Sequence, residues 1–440
     1  MALRPNILII TTDQQSASMM SCSGNPYLKT PSMDRIASWG TRLEHAYTSN
    51  PVCSPARFSW YTGRMPSSIG LRKNGIPLET LPEEVHRGGL GNLLKDAGYS
   101  TWFGGKQHFP SDLSATTLGF ENFENDARDE LAKESARHIS SFPKDQPWLL
   151  AANFINPHDI CYQAIRSFKK TEQEQSLVER GKVEIEELEV ALSTFTEKDS
   201  CPPLPDNFEI PDDEPKAIQW LVDERPFKKS ARKEWGEKEW RQHRWAYHRL
   251  TERVDEQIGI VLDALEQSGH LENTLIIFTS DHGDHSSAHR LEHKTTFYDE
   301  SARVPLLIAH PGSGVGGVIN RSWVSNIGLD LMATCCDYAG IEKPSWNRGM
   351  SLRPLVQGKK DSDEPNGAFV ESQIGYMWAS KNHKYCQYDV CGFEEVLYDR
   401  VADPGEMNNW ISDDRKKDVL EEHRASLKKA MAEHGELKVV

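Results

Sequence analysis

Two runs far apart in the chain end in the same chemistry. Residues 6–15 read NILIITTDQQ and residues 274–285 read TLIIFTSDHGDH. Each is a short apolar run closing on a carboxylate with a second donor beside it, Asp13–Gln14 in one and Asp281–His282 in the other. Two carboxylates and an amide suit a hard cation, Ca2+ or Mg2+, whereas the imidazole of His282 suits Zn2+ or Mn2+ better. Either aspartate could instead cap a following helix. His285, His289 and His293 follow in GDHSSAHRLEH and invite a zinc reading, but their spacing matches no pair on one helix face. Cations and proton carriers stand nearby in the pattern: Lys106 and His108 in GGKQHF, His158 in NPHD, and Lys294 thirteen residues after Asp281. Lys106 and His108 alternate, so on an extended segment both side chains point the same way. Such a set suits a tetrahedral oxyanion, with metal and lysines taking its charge while histidines move protons.

Residues 51–57, PVCSPAR, raise a separate question, because Cys53 stands four places before Arg57. A cysteine beside a cation can be an activated thiolate, a filler in a loop, or the precursor of a modified residue.

The elements that must hold these groups alternate along the chain. NILII (6–10), YSTWFG (99–104), WLLAANFI (148–155), TLIIF (274–278) and VPLLIA (304–309) read as strands. Helices are predicted at 90–98, closed by Gly98, at 126–142, and at 240–268, where Val254, Ile258, Val261, Leu262 and Leu265 fall on one face. Strand–helix alternation predicts a large, mostly parallel sheet flanked by helices. In such sheets ligands bind beyond the carboxyl ends of the strands, where these groups sit. Residues 165–240 are charged and proline-dotted and read as a surface insertion of helices and loop. Beyond about residue 360, AFVES, HKYCQYDV, EEVLYDR and a helix at 413–434 predict a small antiparallel α+β subdomain. The expected domains are therefore 1–360, carrying the 165–240 insertion, and 361–440.

The 440 residues carry a net charge of −15, which disfavours nonspecific contact with nucleic acid or anionic membranes. An anionic substrate would then need a local cluster of cations. No apolar run is long enough to span a bilayer, and the amino terminus MALRPNILII lacks a signal-peptide h-region. The chain as written is expected to be cytoplasmic, or periplasmic or secreted if an export signal was trimmed. Eight cysteines are too few for a disulfide scaffold, although Cys386 and Cys391 could pair.

CSPAR at 53–57, TGR at 62–64, RPNILIITTDQ, GKQHF, NPHD, TSDHGD, ESARVPLLI and VLYDRVADPGEMNN together resemble the type I, formylglycine-dependent sulfatases of the alkaline phosphatase superfamily, in the family's order. The resemblance covers nearly the whole chain except the insertion. It implies an alkaline-phosphatase-like fold and hydrolysis of a sulfate monoester, with a sulfated carbohydrate as the expected substrate. It implies that a maturation enzyme oxidises Cys53 to Cα-formylglycine, whose hydrate attacks sulfur and then collapses as a sulfated hemiacetal. Asp13, Gln14, Asp281 and His282 match the family's metal positions together with the modified Cys53, and Ca2+ is the usual ion, ahead of Mg2+, Mn2+ or Zn2+. Arg57 and Lys106 match the groups that hold the formylglycine, His108 the base for hemiacetal collapse, His158 the acid to the leaving oxygen, and Lys294 a sulfate ligand. The chain departs in having Gln14 and His282 where many members carry Asp and Asn, and Ala56 in place of the commoner serine. A phosphonate monoester or phosphodiester hydrolase of the same superfamily is the alternative. Arg72, Lys73 and Asn74, in GLRKNGIPL, could contact an acidic sugar or form a solvated turn. Trp220, Trp235, Trp240, Trp245, Trp346 and Trp378 could stack on sugars or pack in the core. Oligomeric state is not encoded in any pattern found.

Overall fold

The computed structural model describes residues 4–75, 80–167, 172–196, 200–359 and 364–434. The domain boundary expected at 360/361 lies outside them. Twelve strands are present among the described residues: β1 (Asn6–Asp13), β2 (Gly40–Tyr47), β3 (Ser100–Gly105), β4 (Glu121–Glu124), β5 (Trp148–Pro157), β6 (Thr274–Ser280), β7 (Leu306–Ala309), β8 (Val318–Asn326), β9 (Gly367–Ser372), β10 (Gly375–Ser380), β11 (His383–Tyr388) and β12 (Glu394–Asp399). The first eight form one sheet in the order β4-β3-β5-β1-β6-β7-β2-β8, and the last four form a second in the order β12-β11-β10-β9.

Apolar alternation in the central strands builds two cores. Ile7 and Ile9 of β1 face one way, with Leu149, Ala151, Leu275 and Ile277 from its neighbours. Against them pack Phe58 and Tyr61 of the Cys53–Thr62 helix and Leu331 and Cys335 of the Ile327–Ala339 helix. Leu8 and Ile10 face the other way, onto Val254, Ile258, Val261, Leu262 and Leu265 of the Glu237–Gln267 helix. Strands buried on both faces read as continuous apolar runs, which is why the sequence marks β1, β5 and β6 so clearly.

The large sheet is parallel as expected except at β7, which pairs antiparallel with both β6 and β2. The cause lies in the connection. The chain leaves β6 at its carboxyl end, runs through 281–305 on that same rim, and so re-enters the sheet from the rim in the reverse direction. The second sheet is antiparallel throughout and is backed by the Lys417–Glu433 helix. Between 162 and 234 the chain folds into five helices among the described residues, Tyr162–Ser167, Glu172–Arg180, Lys182–Ser193, Lys216–Asp223 and Pro226–Glu234. They pack through Ile160, Leu188 and Tyr247 in one cluster and Cys161, Phe227 and Trp240 in another. All eight cysteines are free; Cys386 is buried and Cys391 exposed, so that pair is not joined. No helix among the described residues is long and apolar enough to cross a membrane.

Candidate active site

Strands β3, β5, β1 and β6 are consecutive and parallel, so their carboxyl ends form one rim. Asp13 is the last residue of β1, Asp281 follows β6, Lys106 follows β3 and His158 follows β5. Cys53 opens the Cys53–Thr62 helix, where the free N–H groups and helix dipole favour negative charge. Arg57, four residues on, shares its helix face. Lys294 arrives from the β6–β7 connection.

These residues converge. The Cys53 sulfur lies 3.1 Å from His282 Nε2, 3.7 Å from Asp13 Oδ1 and 3.0 Å from Lys294 Nζ. Ligand atoms of Asp13, Cys53, Asp281 and His282 all lie within 4.8 Å of one another, and all four residues are buried. Arg57 sets the direction of the carboxylates. It donates from Nε to Asp281 Oδ2 at 3.0 Å and from Nη2 to Asp13 Oδ2 at 3.2 Å, which turns each Oδ1 inward. Its third donor, Nη1, goes to the Lys106 carbonyl at 2.9 Å, while Lys106 Nζ sits 2.5 Å from Asp13 Oδ2.

Gln14 has a left-handed φ of 68°, a conformation uncommon outside glycine. It is held there because its N–H donates to Asp281 Oδ1 at 3.1 Å and its carbonyl accepts from Tyr247 at 2.6 Å. Its side-chain N–H donates to Asp284 at 2.8 Å, which fixes the amide so that Oε1 faces the cations and accepts from Lys294 at 2.9 Å and Cys161 at 3.0 Å.

The electrostatics follow from burying so many charges together. Burial and Cys53 push the Asp13 carboxyl up, but Lys106, His158 and Lys294 outweigh them and hold it well below the usual carboxylate range. Burial and the adjacent Asp13 raise Asp281 to about 6. Two inward carboxylates and an imidazole gather around Cys53, with the Gln14 amide oxygen beside them, a donor set that fits a divalent cation. Burial opposes ionisation of Cys53, yet Lys294, Lys106 and His282 bring its thiol well below the ordinary value. His108 and His158 both reach the Cys53 sulfur. Burial and Lys106 lower His158 to about 4. His108 is the exposed member of the set, and its left-handed φ of 45° shows that it does not sit on the extended segment expected.

Other candidates lie elsewhere. His285 pairs with Thr296, His289 stacks on Tyr298 at 3.8 Å and contacts Asn207, and His293 contacts Glu292. Among the described residues they form no metal group, so the zinc reading of those three histidines is not supported. The Arg72 guanidinium donates to Ser372 O, Gly375 O and Asp389 and lies over Tyr376, so it ties the 70–75 segment to the second sheet. Asn74 accepts from Ser54 N at 3.0 Å and, with Lys73, lines a cleft that also takes in Val52 and Lys294. Of the six tryptophans only Trp220 reaches that cleft. Trp240 and Trp245 are buried, Trp235 packs on Trp240, and Trp346 lies under Arg64.

Sequence reasoning missed Asp284, which accepts from Gln14, His243 and two backbone N–H groups; its signal was the second acid in SDHGDH. It also missed Arg225 and Lys228, which line the cleft from the insertion and carry no spacing signal at all.

Comparison with known proteins agrees with this geometry. The sulfatase family model matches residues 5–341, and a model described as N-sulphoglucosamine sulphohydrolase, C-terminal, matches 287–433. The chain is 30% identical to a Delta 4,5-hexuronate-2-O-sulfatase of Bacteroides thetaiotaomicron, across 96% of this chain and 88% of that protein. It is 28% identical to a choline-sulfatase of Rhizobium meliloti, across 94% and 83%. Among solved structures, a 2-O GAG sulfatase superposes with a TM-score of 0.83 at 28% identity, covering 98% of this chain and 92% of that one. A phosphonate monoester hydrolase of Agrobacterium radiobacter shares the fold, with a TM-score of 0.75 at 21% identity over 98% and 96%.

Proposed function

The chain belongs to the sulfatase family and is a sulfuric ester hydrolase; from that premise we propose that it removes sulfate from a glycosaminoglycan-type saccharide. The observation that carries this reading is the meeting of Cys53, two lysines and two inward carboxylates at one strand-end rim, in a chain similar to a hexuronate 2-O-sulfatase.

Asp13, Gln14, Asp281 and His282 would hold a divalent cation, Ca2+ foremost. When bound, it supplies charge stabilisation for the sulfate oxygens and lowers the pKa of the attacking hydroxyl. Maturation of Cys53 to formylglycine, by an enzyme of the producing host, supplies that hydroxyl as part of an aldehyde hydrate; the thiol sulfur marks its place. Lys294 and Lys106 flank that position and take the charge that builds on the sulfate. His158 donates a proton to the leaving oxygen. Burial and Lys106 disfavour its charged form; a bound sulfate offsets the lysines and raises its proton affinity. His108, on the open side, accepts the proton that releases sulfate. Arg57 and Asp284 do not touch the ester but fix the carboxylates and the Gln14 amide.

The test is a desulfation screen over defined sulfated mono- and oligosaccharides, using protein matured in a competent host. Release of sulfate from a glycosaminoglycan fragment is expected. Mass spectrometry of the peptide spanning Cys53 should show CH2–SH exchanged for CHO; full activity with an intact thiol refutes the nucleophile. Matched aryl sulfate and aryl phosphonate esters separate the remaining alternative, since faster phosphonate cleavage would favour a phosphonate monoester hydrolase.

A further inference from the structure

A cleft of about 430 Å3 is lined by Val52, the neighbour of Cys53, and by Lys294, which contacts the Cys53 sulfur; its volume is within the range of small-ligand sites, roughly 300–1,000 Å3. Lys73 and Asn74 line it as well. The insertion contributes Trp220 from the Lys216–Asp223 helix, Arg225 from the junction, and Lys228 from the Pro226–Glu234 helix. In a chain of net charge −15, this cleft reverses the sign, with Lys73, Arg225, Lys228 and Lys294 against a single acid, Glu224.

Neighbouring Arg72, Lys229 and Arg232 are ion-paired to Asp389, Asp223 and Glu214, whereas among the described residues Lys73, Arg225 and Lys228 have no such pair. Lys228 is half-buried, and its Nζ donates to the Lys294 carbonyl at 3.4 Å, directly behind the lysine that touches Cys53. Holding a partly desolvated ammonium beside a second cation is unfavourable unless an anion arrives. Lys294 is engaged by Cys53 and Gln14 and is assigned above to the transferring sulfate, which leaves Lys73 and, from the insertion, Arg225 and Lys228.

We propose that the insertion is the specificity element of this enzyme. Arg225 and Lys228 bind a second anionic group, a carboxylate or another sulfate, on the saccharide whose ester sits at Cys53, and Trp220 covers the sugar ring. The assignment rests on the saccharide reading above. It explains why the cations needed by a net-acidic protein come from a segment outside the shared motifs.

The experiment uses the full, matured chain and compares a hexuronate 2-O-sulfate with its carboxyl-reduced neutral counterpart, and a disulfated hexosamine with its monosulfate. Preference for the more anionic member of either pair is expected, and the pair that shows it identifies the group recognised. In the Arg225→Ala/Lys228→Gln variant that preference, as a ratio of kcat/KM values, should fall roughly tenfold or more and mainly through KM. Arg225→Lys should recover part of it. Calorimetric titration of Cys53→Ala protein, with and without the two changes, reads the same loss as binding. A melting curve close to that of the parent checks the fold of these surface variants. No preference in either pair, or a ratio unchanged in the double variant, overturns the assignment and leaves the saccharide reading standing. Cleavage of an aryl sulfate with no saccharide sulfate accepted overturns both.

Discussion

Arg57 donates to Asp13 and Asp281 from one guanidinium, so the inward direction of both remaining carboxylate oxygens depends on a single side chain. Lysine offers a point charge with no fork and cannot span both. Arg57→Lys is expected to weaken divalent-cation binding and lower kcat/KM by roughly a hundredfold or more, with calorimetric titration of Ca2+ and Mg2+ as the check; unchanged cation affinity would refute the role. Lys294 and His158 act on the ester itself in the proposed mechanism. Lys294→Ala and His158→Ala should each reduce kcat/KM by about a hundredfold or more, the scale of charge-stabilising and acid–base groups. Near-normal steady-state kinetics in both would mean the ester sits elsewhere.

Elements place these residues only because the backbone comes close at the rim. Gly105 ends β3 with φ 84°, and a Cβ there would stand 2.2 Å from the Asn153 carbonyl of β5. Neither atom can yield without moving the strand end that carries Lys106. Gly105→Ala should therefore lower activity by tenfold or more and also cost about 1–3 kcal/mol of stability, read from kinetics and urea unfolding. A second element carries a pH signature. Asp330, at the start of the Ile327–Ala339 helix, accepts from Ser325 Oγ at 2.6 Å and Met350 N at 2.8 Å, yet burial raises it to about 7. An unfolded aspartate titrates near about 3.9. Between about 4 and 7 the native carboxyl keeps a proton that the unfolded chain has lost, so stability falls as pH rises through that window. Asp330→Asn should remove that slope, and urea midpoints at pH 5 and pH 8 for both proteins provide the comparison.

At the scale of the molecule, the two sheets are joined by buried charge. Lys384 of β11 is fully buried, with Nζ donating to the Phe297 carbonyl at 2.8 Å and to Asp299 at 2.6 Å, and lying 2.5 Å from Glu406. Arg400 adds a 3.0 Å contact to Asp299. The second sheet thus anchors the same connection, 281–305, that delivers Lys294 to the rim. Lys384→Met should destabilise the protein by about 3–5 kcal/mol by leaving the Glu406 carboxylate without a cation in the interior, while Asp299 keeps Arg303 and Arg400. It should also reduce activity below the unfolding transition; a melting temperature equal to the parent's would show that the sheets are held by apolar contact alone.

Strongly apolar runs and strand-end motifs carried much of this in the sequence. NILII, WLLAANFI and TLIIF are buried on both faces, and that burial writes itself as composition; the Asp13, Asp281, Lys106 and His158 positions then follow as residues just past strand ends. β2 is largely buried but interrupts its apolar residues with Arg42, Glu44 and His45, and β8 is exposed over its first half, so both went unread. The reversed direction of β7 depends on where a long loop re-enters the sheet, which no local pattern encodes. The split of Arg57 between two carboxylates, the reassignment of Arg72 to the second sheet, and the arrival of Arg225 and Lys228 at the cleft are likewise non-local. Periodicity and motif spacing specify what a segment buries and which residue types follow it. Only the packing of distant segments decides which charges meet.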